Sequence, residues 1–426
     1  MAVPLPGYQC ELREGNMTAS TLLLPGVSLG EMQPTAGAVW LPPSQWPRDA
    51  DYLFRPRPVD TTAAPTVVSR YEDVLAVVLD SDGAWRREIP LDVVPREERH
   101  CILDASWLMD GETHRALRRS LRGINRGSTV EAREFTRTLM RQLLRLLMDE
   151  EPPWNLSRAI YEASLRVIVE HTLQAPPLLE HVARLRELQR LRVPPPRPDG
   201  SGSGLDYFGS VRQPEFEDIM ECVPASYHKL PDGLARHLVS LHRSGNMTSS
   251  QLISQLGMLV LSHESQTATA ASLIAMLLEH DLYGYAVKAA GQPELVRRMV
   301  AEGGRRGLSF PINLITPRAD VTLGGRELPA GEPVLISYAA ANMDPERFGL
   351  APSGFDPRPQ RPPHLAFGEG VHRCQGEVGA EQFVADVLLA TLETLPSQVR
   401  LDHGGEVLRE VTGMSWDVVC LPVSPA

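Results

Sequence analysis

Apolar positions recur at helical spacing in several stretches of this chain: Tyr71 to Leu79, Asp110-Gly111-Glu112-Thr113 to about Ile124, Val130 to Met148, Leu156 to Leu173 and Leu178 to Leu191. A short strand, Thr66-Val67-Val68, precedes the first of them, and 80–103 reads as polar and irregular. The longest pattern follows Thr248-Ser249-Ser250-Gln251, which has the form of a capping box. It continues to near His280, apolar nearly all round, a helix of roughly 45–50 Å at ~1.5 Å per residue. Set into its middle is a polar group, Ser262-His263-Glu264-Ser265-Gln266-Thr267. Buried polar groups are costly unless paired, so this group marks an exposed strip, a structural hydrogen-bond network or a functional site. A further helical pattern runs from about Gly379 to Leu395. Asp320 to Gly331 reads as a hairpin with Gly324-Gly325 at its turn, and Val411 to Val423 as a last hairpin turning near Thr412 to Met414. No elements are placed in 1–65, which is rich in proline, glycine and tryptophan. Val193 to Gly204 breaks the chain with the composition of a linker.

Composition narrows the class. The 426 residues are 42% apolar, enough for a substantial core. A net charge of −11 argues against nucleic-acid or anionic-membrane binding. Five scattered cysteines, Cys10, Cys101, Cys222, Cys374 and Cys420, fit neither a disulfide framework nor a zinc site. With no signal-peptide pattern and no stretch of ~18 continuous apolar residues, the expected location is a reducing cytoplasm, away from the membrane.

The chemistry concentrates in His364-Leu-Ala-Phe-Gly-Glu-Gly-Val-His-Arg-Cys-Gln-Gly376. Gly368, Gly370 and Gly376 let the backbone fold tightly against a flat ligand. Cys374 stands ahead of the Gly379 to Leu395 pattern, beside His372 and Arg373, so a helix dipole and positive charge favour its thiolate. Such a thiolate can be the axial ligand of a haem iron. A buried, inert cysteine in a turn is the plainer reading. The full spacing, Phe367-Gly368-x-Gly370-x-His372-x-Cys374-x-Gly376, resembles the haem-binding loop of the cytochrome P450 family.

Four weaker stretches resemble the same family in the same order. Asp110-x-x-x-His114-x-x-x-Arg118 is similar to the helix whose histidine and arginine hold a haem propionate; Arg115, Arg119, Arg122 and Arg126 would then make a basic surface for an acidic electron donor. Leu261-Ser262-His263-Glu264-Ser265 stands where the family has Ala-Gly-x-acid-Thr, with serine for the threonine and bulkier residues for Ala-Gly. Glu294-Leu295-Val296-Arg297 lies where the family has its structural Glu-x-x-Arg. Ala340-Ala341-Asn342-Met343-Asp344-Pro345 is close to the family's meander, with Met343 where arginine is common. The segment Arg298 to Pro317, carrying Gly303 to Gly307, reads as longer than usual. The family's propionate-binding arginine is replaced by Ile315, leaving Arg318, Arg305 or Arg306 as substitutes.

The resemblance covers roughly residues 65 to 423. It implies a single, mainly helical domain with a smaller β region (α+β), haem b buried between the central and cysteine-side helices, and 193–204 as a flexible lid. Cys374 would ligate iron; His114, Arg118 and His372 would hold propionates, with Phe367, Gly368 and Gly376 shaping the loop. Glu264, Ser265 and Thr267 would deliver protons for oxygen activation. Leu261, Ser262, Ile312, Asn313, Thr412 and Met414 would border the substrate. The implied activity is monooxygenation of a small organic molecule, free or carrier-bound, in bacterial specialised metabolism. Its electrons would come from NAD(P)H through ferredoxin and ferredoxin reductase. Two alternatives stay open: oxidative coupling or desaturation without oxygen insertion, motivated by Leu261, Ser262 and Ser265, and a non-catalytic P450-like partner protein.

Overall fold

A computed structural model describes residues 39–41, 66–80, 83–87, 104–121, 129–181, 184, 214–332, 334–349, 355–402, 408–412 and 415–426. The lid at 193–204, Met414, Cys10 and Cys101, 182–183 and 185–191 of the predicted Leu178 to Leu191 helix and most of 1–65 lie outside these residues; the start of that predicted helix falls in a 3-10 helix, Pro176–His181. The helices are α1 (Tyr71–Val78), α2 (Gly111–Ser120), α3 (Val130–Met148), α4 (Leu156–Arg166), α5 (Pro214–Ala225), α6 (Leu234–Arg243), α7 (Ser249–Glu279), α8 (Tyr283–Ala289) and α9 (Pro293–Arg306). The short α10 (Tyr338–Ala341) and α11 (Pro345–Phe348) lead into the cysteine loop, which α12 (Glu377–Thr394) follows.

The central helix α7 starts where its capping box says it should. Thr248 Oγ1 accepts from Gln251 N at 3.1 Å, and Gln251 Oε1 accepts from Thr248 N at 3.0 Å. Losing this cap in Thr248→Ala should cost about 1 kcal/mol, read as a lower urea midpoint with an unchanged slope. The two halves of α7 serve different cores. Leu252, Leu256, Leu259 and Val260 pack with α4, α5 and α6, whereas Ala270 to Leu278 pack with α3, α8, α9 and α12. The predicted polar group falls between these two apolar ends.

A mainly helical body therefore carries several small sheets. In the sheet nearest the cysteine loop, β2 (Thr66–Val68) runs parallel to β8 (Val334–Ser337). Next come β5 (Ile312–Pro317) and β3 (Trp85–Arg86), each antiparallel to its neighbour. The predicted hairpin forms as β6 (Val321–Leu323) and β7 (Arg326–Leu328), with Gly324 and Gly325 at φ +56° and +77°. Two consecutive positive φ values are the twist-matched turn for antiparallel strands. The last hairpin pairs β10 (Leu408–Thr412) with β11 (Ser415–Cys420). A strand in the unassigned N-terminal region, β1 (Val39–Leu41), adds to its edge. Finally β4 (Trp154–Asn155), β12 (Pro422–Pro425) and β9 (Val399–Leu401) form a separate sheet.

Two expectations need correction here. Glu294 and Arg297 do pair, but at the surface, with side chains 56% and 73% exposed. The buried Glu-x-x-Arg is Glu302-Gly303-Gly304-Arg305, one helical stretch later, with both carboxylate oxygens 2.7 Å from the guanidinium and side chains 1% and 0% exposed. The glycines Gly303 and Gly304 that made this segment resemble an extended loop are helical, and the first of them has a packing reason. A Cβ on Gly303 would press on the Leu273 side chain at 3.0 Å, and one on Gly307, just past the helix end, would meet the Ser272 side chain at 2.5 Å, whereas one on Gly304 would make only ordinary contact with His364. Gly303 and Gly307 let α9 sit close to α7.

Candidate active site

Arg305 links this buried pair to the loop above it. Its Nη1 donates to the Asn342 carbonyl at 2.7 Å, and the Asn342 side chain accepts from Leu365 N at 2.7 Å. Asp356 N also donates to Glu302 Oε1, at 3.2 Å. Met343, standing where arginine was expected, accepts from Arg306 Nη1 through its sulfur.

The loop then folds back on itself. Cys374 N donates to the Phe367 carbonyl at 2.8 Å, and Gly368 and Gly370 adopt φ of +65° and +68°. At Gly370 any Cβ would run into the Val78 carbonyl at the end of α1, so only glycine fits there. Arg373 does not approach the thiol as expected. It is clamped between Glu369 at 2.6 Å and Glu377 at 2.7 Å on the surface.

Cys374 lies deep in the molecule, yet its side chain is not covered by protein atoms, so it faces an interior cleft. Burial pushes its thiol pKa up; backbone N–H groups of Gly376 and Glu377 and the nearby Arg118 guanidinium oppose this by favouring the thiolate. The backbone at the helix N-terminus and Arg118 thus oppose the effect of burial without outweighing it.

Around this sulfur the structure gathers His114, Arg118 and His372, as the spacing of α2 and the loop implied. The His114 and His372 rings stack at 4.0 Å. His372 Nε2 meets Asp110 Oδ1 at 3.1 Å, and Gln375 Nε2 donates to the Arg118 carbonyl at 3.1 Å, tying the loop to α2. Burial, helped by positive charge on His372 and Arg118, lowers the His114 pKa to about 3, so this ring is neutral near pH 7. Burial also lowers that of His372, while Asp110 pulls it back up. Three buried atoms here, His114 Nε2, His372 Nδ1 and Gln375 Oε1, have no protein partner. Buried polar groups are nearly always satisfied, so the His114 ring nitrogen, the His372 ring when protonated, and the Arg118 cation fit the carboxylates of a haem, whereas Gln375 Oε1 can only accept and plays no part in holding them.

Sequence reasoning missed Arg87 and the way Asp110 collects it together with Arg318. Asp110 accepts from Arg87 N at 2.9 Å and from Arg318 Nη2 at 3.2 Å. Of the proposed substitutes for the arginine missing at 315, Arg305 is spent in its buried pair and Arg306 turns to Met343. Ile315 itself is buried at 2% exposure. The basic surface is also weaker than expected, since Arg115 and Arg119 are both paired to Glu112. Arg122 and Arg126 lie outside the described residues.

On α7, Ser262, Ser265 and Thr269 follow one another at helical spacing on a half-covered stripe. Their hydroxyls donate to the carbonyls of Leu259, Ser262 and Ser265 at 2.6, 2.8 and 2.8 Å. Glu264 is half-buried beside this stripe. Thr267 does not belong to it. It is buried at 6% exposure on the opposite side of the helix and donates to the His263 carbonyl at 2.9 Å. Leu261 leans on the apolar cluster at the start of α7. Ile312 and Asn313 sit in β5 opposite Ser337 and Ile336, both buried, with Asn313 Oδ1 lacking a protein partner. Thr412 ends β10, and its side chain lies outside the described set.

Known proteins give this geometry a context. No family model matches the chain. It is 28% identical over 372 residues to the mycinamicin IV hydroxylase/epoxidase of Micromonospora griseorubida, covering 82% of this chain and 86% of that protein. It is 30% identical over 342 residues to the cytochrome P-450 monooxygenase DoxA of Streptomyces sp. (strain C5), covering 76% of this chain and 78% of that protein. This chain belongs to the cytochrome P450 family. Its fold agrees, matching the tirandamycin C-bound P450 monooxygenase TamI at a TM-score of 0.68 and 22% identity over 85% of this chain and 90% of that one.

As a P450 the protein is a monooxygenase-class oxidoreductase, and its family membership implies haem. Its curated relatives are bacterial P450s of specialised metabolism. Among the described residues, no helix is long and apolar enough to cross a membrane. The non-catalytic alternative gives way to an enzyme.

Proposed function

We propose that Cys374 is the thiolate ligand of haem b in a monooxygenase acting on a small organic substrate, with electrons from NAD(P)H through a ferredoxin and its reductase. The observation that carries this reading is the Cys374 sulfur, facing a cleft, under backbone donors of the α12 N-terminus and beside the unsatisfied ring nitrogens of His114 and His372. When bound, haem supplies oxygen activation, to which an axial thiolate contributes electron density.

The chain's own residues then have separable tasks. His114, Arg118 and His372 hold the propionates. Phe367, through its carbonyl, and Gly368, through its backbone turn, fix the height of Cys374, while Gly376 opens the helix that points at the sulfur. Ser265, on the half-covered stripe with Glu264 beside it, passes protons inward, and Ser262 and Thr269 extend the same row of hydroxyls. Thr267 is left out of this relay because its hydroxyl lies on the far side of α7. Leu261, Ser262, Ile312, Asn313, Thr412 and Met414 remain the proposed border of the substrate site.

Reconstitution with a plant-type [2Fe–2S] ferredoxin, its reductase and NADPH tests the relay. Ser265→Ala should raise hydrogen peroxide release and lower product per electron by about a hundredfold, the low end of the usual range for a positioned proton donor. An unchanged product yield per electron would remove Ser265 from the relay.

A second reading, oxidative coupling or desaturation, draws support from Leu261 and Ser262, which are larger than the Ala-Gly pair they replace. Product masses separate the two. A net gain of oxygen supports monooxygenation; loss of hydrogen alone supports the second reading.

A further inference from the structure

We infer that Arg87 supplies the guanidinium that the family carries at position 315, delivered from the neighbouring strand. The strand register is the observation behind this. β3 pairs antiparallel with β5, Trp85 opposite Pro317 and Arg86 opposite Thr316. One further step along the same register sets Arg87 beside Ile315. Cross-strand partners project from the same face of a sheet, so Arg87 and Ile315 share a face. Trp85, two residues earlier and on that same face, packs in the apolar cluster that contains Ile315 and Leu365 of the cysteine loop.

Local structure holds Arg87 there. The Asp80 carboxylate accepts from Ala84 N at 3.1 Å and Trp85 N at 2.9 Å, fixing the turn that leads into β3. Arg318 N donates to the Ala84 carbonyl at 2.7 Å, which extends the pairing past the end of β5. On the other side, Arg87 N is held by the Asp110 carboxylate. The positive charge of Arg87 is felt by His114, Arg118 and His372 alike, the three groups assigned to the propionates. Arg318, the substitute that sequence alone offered, has a different place. Its side chain is 43% exposed and bound to Asp110, so it braces the cluster from outside.

Charge supports the exchange. Among the described residues, Arg87, Arg118 and Arg318 bring three positive charges against the carboxylate of Asp110, a surplus of two that matches the two propionates of haem b. Without Arg87 the surplus falls to one. The arginine missing at 315 is therefore relocated by one strand, which frees position 315 for an apolar side chain in the sheet's core.

This inference rests on the haem assignment above, and the test keeps the two apart. Haem release from the holoprotein to excess apomyoglobin, together with the reduction potential, would be measured for wild type, Arg87→Met, Arg87→Lys and Arg318→Met. Loss of a charge-assisted hydrogen bond to a propionate should speed release by about tenfold in Arg87→Met and move the potential negative, with the thiolate-type carbon monoxide band kept. Arg87→Lys should recover part of both effects, and Arg318→Met should change release by less than about threefold. If Arg87→Met does not fold, Arg87→Gln carries the same prediction. Unchanged release and potential in the Arg87 variant, or a larger effect from Arg318→Met, would overturn the assignment. A wild-type protein lacking the thiolate band would instead overturn the haem reading itself.

Discussion

Replacing Cys374 with alanine is expected to abolish the thiolate-type spectrum and to reduce product formation to background, while leaving the fold intact. Burial raises the Cys374 thiol pKa, and the backbone N–H groups of Gly376 and Glu377 and the Arg118 guanidinium, which oppose this, cannot themselves donate an electron pair to a metal. The nearest imidazoles are not free to swing in, because His372 is held by Asp110 and His114 is stacked on His372. Folding should be spared because the side chain faces a cleft and contributes little packing. A stability change within about 0.5 kcal/mol is expected by urea denaturation. An unchanged thiolate-type band in Cys374→Ala would remove the ligand assignment outright.

The second large effect belongs to a residue with no part in the chemistry. Arg305→Ala should destabilise the protein by about 3–5 kcal/mol, because it leaves the buried Glu302 carboxylate without its partner. The loss would spread along a defined path: Arg305 holds the Asn342 carbonyl, and Asn342 holds Leu365 at the base of the cysteine loop. Arg305→Ala should therefore lose haem as well as stability. Arg297→Ala, which breaks only the exposed pair, should stay within about 0.5 kcal/mol of wild type. Equal effects from the two variants, read as urea midpoints, would return the structural role to Glu294 and Arg297.

That contrast also shows what could be read without a structure. A Glu-x-x-Arg spacing is satisfied twice in α9, and both pairs form. Burial, which distinguishes them, depends on α7 and on the Asn342 segment packing over the second pair. The misleading cue was Gly303-Gly304, since glycines signal a loop in sequence but here lie in the helix, with Gly303 admitting Leu273. The cysteine loop was legible because its constraints are local: positive φ at two glycines and a backbone bond from Cys374 to Phe367. The capping box of α7 was legible for the same reason.

Other features needed the third dimension. Thr267 lies in the same polar run as Ser265, but two residues along a helix is more than half a turn, which sends its hydroxyl to the buried side. Arg87 carries no motif at all, and only the pairing of β3 with β5 brings it beside position 315. Asp110 was read as part of a spacing, whereas its carboxylate gathers His372, Arg87 and Arg318 from distant parts of the chain.

The central claim, a haem held by the Cys374 thiolate, is tested most directly by the carbon monoxide difference spectrum of the reduced wild-type protein. A strongly red-shifted Soret band is the predicted result, and it should disappear in Cys374→Ala. Absence of haem from folded protein, produced with haem supplied during expression, would contradict the account.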